Sequence, residues 1–266
     1  MANDIIFKRH IFAAYKNERN MKTVFITGAN RSIGLETAKQ LLQKGYYVYL
    51  GSRKRESGLA AVKDLHASGL TNVEVIEMDV TDHASVAAAR AEIGKKTDVL
   101  DVLINNAGIS GIIPQSALTA AIDNFKTVYG TNVYGVVRVT QAFIDLLRKS
   151  DEPRIVNVSS SVGSLSLQSD PNWQFYDHAK FAVYSSSKSA LNMYTVMLAY
   201  ELKDTAFKVN AVDPGYTKTD FNNHQGPGTV EDAADRVVRY ALVDSNGPSG
   251  KYFSEETNPA TGEIAW

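Results

Sequence analysis

The sequence contains no cysteine. That excludes disulfides, thiolate catalysis and cysteine-ligated metals, and makes a reducing cytoplasm the expected compartment. A charge bias is missing too: 28 basic and 29 acidic side chains leave a net charge of −1. Nothing global draws such a chain to nucleic acid or to an anionic membrane. No apolar run approaches membrane-spanning length. Histidine is sparse, and His10, His66, His83, His178 and His224 show no metal-ligand spacing, so no metal site is expected. What remains is 266 residues, 44% of them hydrophobic, enough for a large core in one domain or at most two. Residues 1–20 (MANDIIFKRHIFAAYKNERN) stand apart. Their apolar positions are broken by Lys8, Arg9 and His10, and no small-residue cleavage site follows. They read as a poorly ordered extension before a single domain over residues 21–266, not as a secretory signal.

From Met21 onward, strand-like and helix-like patterns alternate. Strands are expected at 22–27, 46–51, 73–80, 101–108, 154–161, 207–215 and 250–253, and helices at 34–44, 57–68, 82–94, 123–149, 183–203 and 230–242. Gly45 is placed to end the first helix. This βαβα rhythm predicts an α/β fold: a single Rossmann-type, doubly wound parallel sheet with helices on both faces. Ligands of such sheets bind at the carboxyl ends of the strands, so the loops after the strands are where chemistry is expected.

The first of these loops, TGANRSIGLE (27–36), joins a strand to a helix. Gly28 permits a tight turn and Gly34 a close helix–strand approach, while the helix N-terminus offers N–H groups and a positive dipole end to a phosphate. After the second strand the chain reads LGSRKRE (50–56). Arg53, Lys54 and Arg55 stand where a site for an unphosphorylated ribose carries an acid, and no acid comes before Glu56. With Arg31 in the glycine loop, these cations suit a 2′-phosphate, which guanidinium grips through a charge-assisted fork.

In YSSSK (184–188), Tyr184 and Lys188 are four residues apart and share a face if the stretch is helical. An ammonium beside a phenol lowers the tyrosine pKa from its ordinary value near ~10, which suits a proton donor to a carbonyl. Upstream lies a serine cluster, VSSS (158–161). Between the two, LQSDPNWQFYDHAKF (167–181) carries Trp173, Phe175, Tyr176 and Phe181, which read either as an apolar wall over a substrate or as a packed surface loop.

The ordered set TGANRSIG, MDV (78–80), NNAG (105–108), GTNVYG (130–135), VSSS, YSSSK and DPGYTKTD (213–220) resembles the short-chain dehydrogenase/reductase family over nearly the whole chain from Lys22. LGSRKRESG and the GPSGKYFSEE ending look most like its NADPH-dependent carbonyl reductases. The resemblance implies Tyr184 as general acid, Lys188 as its partner and a ligand of the nicotinamide ribose, and Ser160 as donor to the substrate oxygen. Ser160 stands three before Gly163, as the family's serine does before its glycine. Asn132 is implied to hold a water that links Lys188 to solvent. NADPH or NADP+ is implied against Gly28, Asn30, Arg31, Ser32, Ile33, Gly34, Arg53, Asp79, Val80, Asn106, Ala107, Gly108, Pro214, Gly215, Thr217 and Thr219, with Trp173, Phe175 and Tyr216 toward the substrate. Two features depart from the pattern. Ser32 replaces the family's middle glycine, and Ser160 and Tyr184 stand farther apart than usual, an insertion near 165–182. His178 within it reads as a bystander. The implied activity is reduction of ketones or aldehydes; a 3-oxoacyl-thioester or polyol reductase, or an NADPH-binding sensor or scaffold without turnover, are the alternatives. A homodimer or homotetramer paired through the helices at 123–149 and 183–203 is expected.

Overall fold

The computed structural model describes residues 21–266; the extension at residues 1–20 lies outside them. Seven strands, β1 (Thr23–Ile26), β2 (Tyr47–Ser52), β3 (Val73–Glu77), β4 (Val102–Asn105), β5 (Arg154–Val158), β6 (Lys208–Val212) and β7 (Lys251–Phe253), form one sheet in the order β3-β2-β1-β4-β5-β6-β7. Every pairing is parallel. Parallel neighbours need crossovers, and eight helices in the described residues supply them or border the site. They are α1 (Ser32–Gln43), α2 (Arg55–Ala67), α3 (His83–Gly94), α4 (Ile122–Tyr129), α5 (Val136–Leu147), α6 (Leu165–Ser169), α7 (Ala182–Glu201) and α8 (Val230–Ala241).

Strand side chains alternate between the two faces. In β1, Val24 and Ile26 enter a core with Leu41 of α1, Leu65 of α2 and Val237 of α8, while Phe25 enters the opposite core with Ile93 of α3, Phe143 of α5 and Leu202 just past α7. Each of these side chains, fully buried, contributes on the order of 1.5–3 kcal/mol. Helices α1, α2 and α8 therefore cover one face, and α3, α5 and α7 the other. Gly45, at φ +84°, ends α1 as the sequence predicts, donating to the Leu42 carbonyl oxygen at 3.0 Å.

The helix expected over 123–149 is interrupted. Gly130–Gly135 forms a π-helical turn between α4 and α5, with Asn132 fully buried inside it. The strand order reverses between β1 and β4, and the crevice beyond their carboxyl ends is where such a sheet binds ligands.

Candidate active site

A cleft of about 810 Å³ opens at that crevice. Its floor is the contact between the loops after β1 and β4. Gly28 turns the chain at φ +62°, and a Cβ there would stand 3.1 Å from Ala107 Cα. A Cβ on Gly34 would lie 2.5 Å from Asn106 Nδ2 and 2.7 Å from the Gly28 carbonyl oxygen. Asn106 Nδ2 donates to the carbonyls of Thr27 (2.9 Å) and Gly28 (3.0 Å), and the Asn106 and Ala107 N–H groups donate to Thr27 Oγ1. No side chain caps α1, so its N-terminus keeps its free N–H groups for an anion. Ser32, at the family's middle-glycine position, is held at φ +50°, in the left-handed region that favours glycine.

Arg53 and Arg31 border the cleft, as do Gly28, Asn30, Ser32, Ile33, Gly34, Asp79 and Val80; Lys54, Arg55 and Glu56 do not. Of the three consecutive cations after β2, only Arg53 thus reaches the cleft. Arg31 Nη1 meets Asp220 Oδ2 at 3.3 Å. Burial opposes the Asp79 charge, but two hydrogen bonds from Thr81 and the nearby Arg53 and Arg138 outweigh it and hold the carboxyl below its ordinary pKa. Arg53 at the β2 end, Arg31 in the loop after β1, an uncapped helix and two positions too tight for a Cβ fit a dinucleotide carrying a 2′-phosphate.

At the far end, β5 and α7 bring Ser160, Tyr184 and Lys188 together on the cleft. Three neighbouring serines separate by their partners. Ser159 Oγ donates to Asn192 Oδ1 at 2.6 Å, Ser161 is buried where a 3₁₀ turn begins, and Ser160 is the serine near enough to the Tyr184 phenol to pull its pKa down. Tyr252 hydroxyl donates to the Ser160 carbonyl from behind. Lys188 is buried; its Nζ donates to the Val158 carbonyl at 2.8 Å and lies 5.6 Å from the Tyr184 ring centroid.

The expected lowering of the Tyr184 pKa is not found. Burial pushes the phenol well above its ordinary range, the Asp213 carboxylate adds to this, and only the Ser160 hydrogen bond opposes them. Burial also lowers Lys188 to about 8, against an upward pull from Asp213. A desolvated ammonium engaged with a carbonyl is a weak acidifier of its neighbour.

Asn132 Nδ2 donates to the Ile109 carbonyl (2.9 Å) and Ser187 Oγ (3.1 Å), and its Oδ1 accepts from Ile109 N–H (2.9 Å). Both amide hydrogens are spent, and the side chain does not border the cleft.

Pro214, Gly215, Tyr216, Thr217 and Thr219 reach the cleft after β6, with Asn106, Ala107 and Gly108 opposite. The insertion also folds over it. Gln168 Nε2 donates to the carbonyls of Val162 and Ala179, and Phe175, His178, Ala179 and Phe181 form the wall. Trp173 does not line it. This residue is only 7% exposed and packs edge-on against Phe175 at 5.6 Å, which sets the indole behind the wall, with its Nε1 buried and without a hydrogen-bond partner among the described residues.

His178, set aside as a bystander, borders the cleft. Three residues that sequence reasoning missed are Phe221, whose ring lies 5.6 Å from Tyr184, Asp213 and Gln115. Asp213 sat in plain sight inside DPGYTKTD; nothing local marked the other two.

The short chain dehydrogenase model matches residues 22–229. The chain belongs to the short-chain dehydrogenase/reductase family. It is 35% identical to (−)-isopiperitenone reductase of Mentha piperita, over 87% of this chain and 95% of that one. Salutaridine reductase of Papaver somniferum superimposes with a TM-score of 0.77 at 30% identity, over 88% of this chain and 99% of that one. The NADPH-bound carbonyl reductase from chicken fatty liver superimposes with a TM-score of 0.79 at 27% identity, over 92% and 99%.

Proposed function

We propose that this chain reduces ketones or aldehydes to alcohols with NADPH. The observation that carries the reading is the convergence of Ser160, Tyr184 and Lys188 on the cleft that Arg31, Arg53 and the open N-terminus of α1 also border. NADPH bound there supplies the hydride. Arg53 and Arg31 grip the 2′-phosphate, the turn from Gly28 to Gly34 takes the pyrophosphate, and Asp79 and Val80 border the adenine. Asn106, Ala107 and Gly108 line the middle, Pro214, Gly215, Thr217 and Thr219 the nicotinamide end, and Lys188 holds the ribose.

Tyr184 gives its phenolic proton to the carbonyl oxygen as negative charge develops there, while Ser160 donates a hydrogen bond to the same oxygen. The raised Tyr184 pKa keeps that proton in place at neutral pH. Phe175, Phe181, Tyr216 and Phe221 offer an apolar surface suited to a hydrophobic ketone. Two relatives are named as reductases, of isopiperitenone and of salutaridine, which supports a reduction.

Rates over a panel of apolar ketones with each cofactor test the reading. NADPH is expected to exceed NADH in kcat/KM by roughly tens- to hundreds-fold, a few kcal/mol of charge-assisted contact, and Arg53→Asp to erase that margin. Tyr184→Phe is expected to abolish turnover and leave NADPH affinity nearly intact. Equal use of NADH would refute the cofactor, and an active Tyr184→Phe the mechanism.

A further inference from the structure

Helix α7 carries both Tyr184 and Lys188, yet its own N-cap, Phe181, makes no capping hydrogen bond. A helix start leaves N–H groups that need partners. One residue from another loop supplies two of them. The main-chain carbonyl of Gln115 accepts from Ala182 N–H at 3.1 Å, and its side-chain Oε1 accepts from Tyr184 N–H at 2.8 Å. Its Nε2 donates to the Ser110 carbonyl at 2.6 Å. All three bonds are made by a side chain and backbone only 4% exposed, in a loop whose neighbours Ile112, Ile113 and Leu118 point to solvent. Burying a glutamine there costs desolvation, which these bonds offset.

The geometry points to Gln115 as the positioning residue for Tyr184, an inference that rests on Tyr184 being the proton donor proposed above. The chain Ser110 carbonyl–Gln115 amide–Tyr184 N–H ties the loop after β4 to the residue that holds the phenol. Ser110 follows Ile109, whose N–H and carbonyl are both bonded to Asn132, and Asn132 donates to Ser187 one turn further along α7. The loop beside the nicotinamide end and the first turn of α7 are thus joined by two struts, Asn132 at Ser187 and Gln115 at Tyr184. Without the second strut the Tyr184 N–H has no acceptor in its place, the first turn is free to fray, and the phenol loses its fixed distance to Ser160. Such misplacement of a reacting group by about 1 Å costs on the order of 10²-fold in rate.

The test uses Gln115→Met, which keeps the volume and the main-chain bond to Ala182 N–H but removes the two side-chain bonds, to Tyr184 N–H and from the amide to the Ser110 carbonyl. Its kcat is expected to fall about tenfold to a hundredfold, with NADPH affinity within about twofold of the parent and faster hydrogen exchange at the Tyr184 amide. A role confined to folding would instead lower the melting temperature and leave kcat of the folded protein alone. Unchanged kcat, equal losses in kcat and NADPH affinity, or unchanged exchange at Tyr184 overturns the inference. If Gln115→Met does not fold, Gln115→Glu decides: its carboxylate still accepts from Tyr184 N–H but cannot donate to the Ser110 carbonyl, so the strut is cut at the loop end and kcat should fall about tenfold with the Tyr184 amide still protected, whereas parental kcat overturns the inference. An active Tyr184→Phe marks the failure of the underlying reading; an inactive one beside a fully active Gln115→Met marks the failure of this one alone.

Discussion

Tyr184 and Lys188 show how burial reverses a simple electrostatic expectation. Proximity alone predicts a lowered phenol pKa; desolvation of both groups raises the phenol and lowers the ammonium to about 8. The lysine therefore taxes folding. Where it is charged in both folded and unfolded chains, below pH 8, the full cost applies; it fades as pH rises from about 8 toward the unfolded value of 10.5. Lys188→Met, which carries no charge, should gain stability over the parent at pH 7, and the gain should shrink by pH 10. Melting of the two cofactor-free proteins across that range checks this, and a gain independent of pH would show that Lys188 titrates normally. Ser32 carries a different cost. Its positive φ strains a non-glycine residue by about 1–2 kcal/mol, whereas glycine adds unfolded-state freedom worth about 0.5–1 kcal/mol. Ser32→Gly should stabilise by about 0–1.5 kcal/mol in urea unfolding without weakening NADPH binding; a marked loss of affinity would mean the hydroxyl donates to phosphate.

The elements divide the work between rigid supports and an adjustable wall. The π-helical turn at Gly130–Gly135 carries Asn132 inward, and π turns of this kind interrupt helices at functional sites. A Cβ on Gly135 would meet Val80 Cγ2 at 2.9 Å, so the turn packs directly against the loop after β3. The insertion after β5 is the wall. Phe175 faces the cleft and Trp173 sits behind it, so the two should respond differently to truncation. Phe175→Ala should raise KM for an apolar ketone several-fold, leaving the melting temperature and NADPH affinity near those of the parent. Trp173→Ala should destabilise by about 3–5 kcal/mol, as buried aromatic truncations do. Parallel kinetics and denaturant melts distinguish them; a Trp173→Ala variant of parental stability would mean the indole is not core.

At the scale of the whole molecule, the insertion lies across the cleft and leaves the outer face of α7 bare. Met193, Met197 and Tyr200 recur at helical spacing and are exposed, with Tyr134 of the π turn exposed as well. Leu191 of α7 and Leu202 just past it, both within the 183–203 stretch expected to pair between subunits, are buried. An exposed apolar face favours association, and two-fold closure is its usual form. Light scattering at micromolar concentration should therefore give at least twice the chain mass, and Met197→Glu should lower it; a monomeric parent would sink the expectation. No helix among the described residues is long and apolar enough to cross a membrane.

The alternation of strands and helices, the glycine loop and the spacing of Tyr184 from Lys188 were legible in the sequence, because backbone period and turn chemistry act over a few residues. The seven strands fall within a few residues of their expected ranges, though several end earlier, at Glu77, Asn105, Val158 and Val212, where the site loops begin. Local pattern could not separate Ser159, Ser160 and Ser161; their partners Asn192 and Tyr184 come from a helix more than twenty residues away. Nor could it show that Trp173 turns inward, that Gln115 caps a helix 67 residues downstream, or that burial raises Tyr184. Those outcomes depend on desolvation and on hydrogen-bond partners that only the folded chain brings within reach. Residue types and their spacing determined which chemistry was available, and tertiary packing decided which groups were free to perform it.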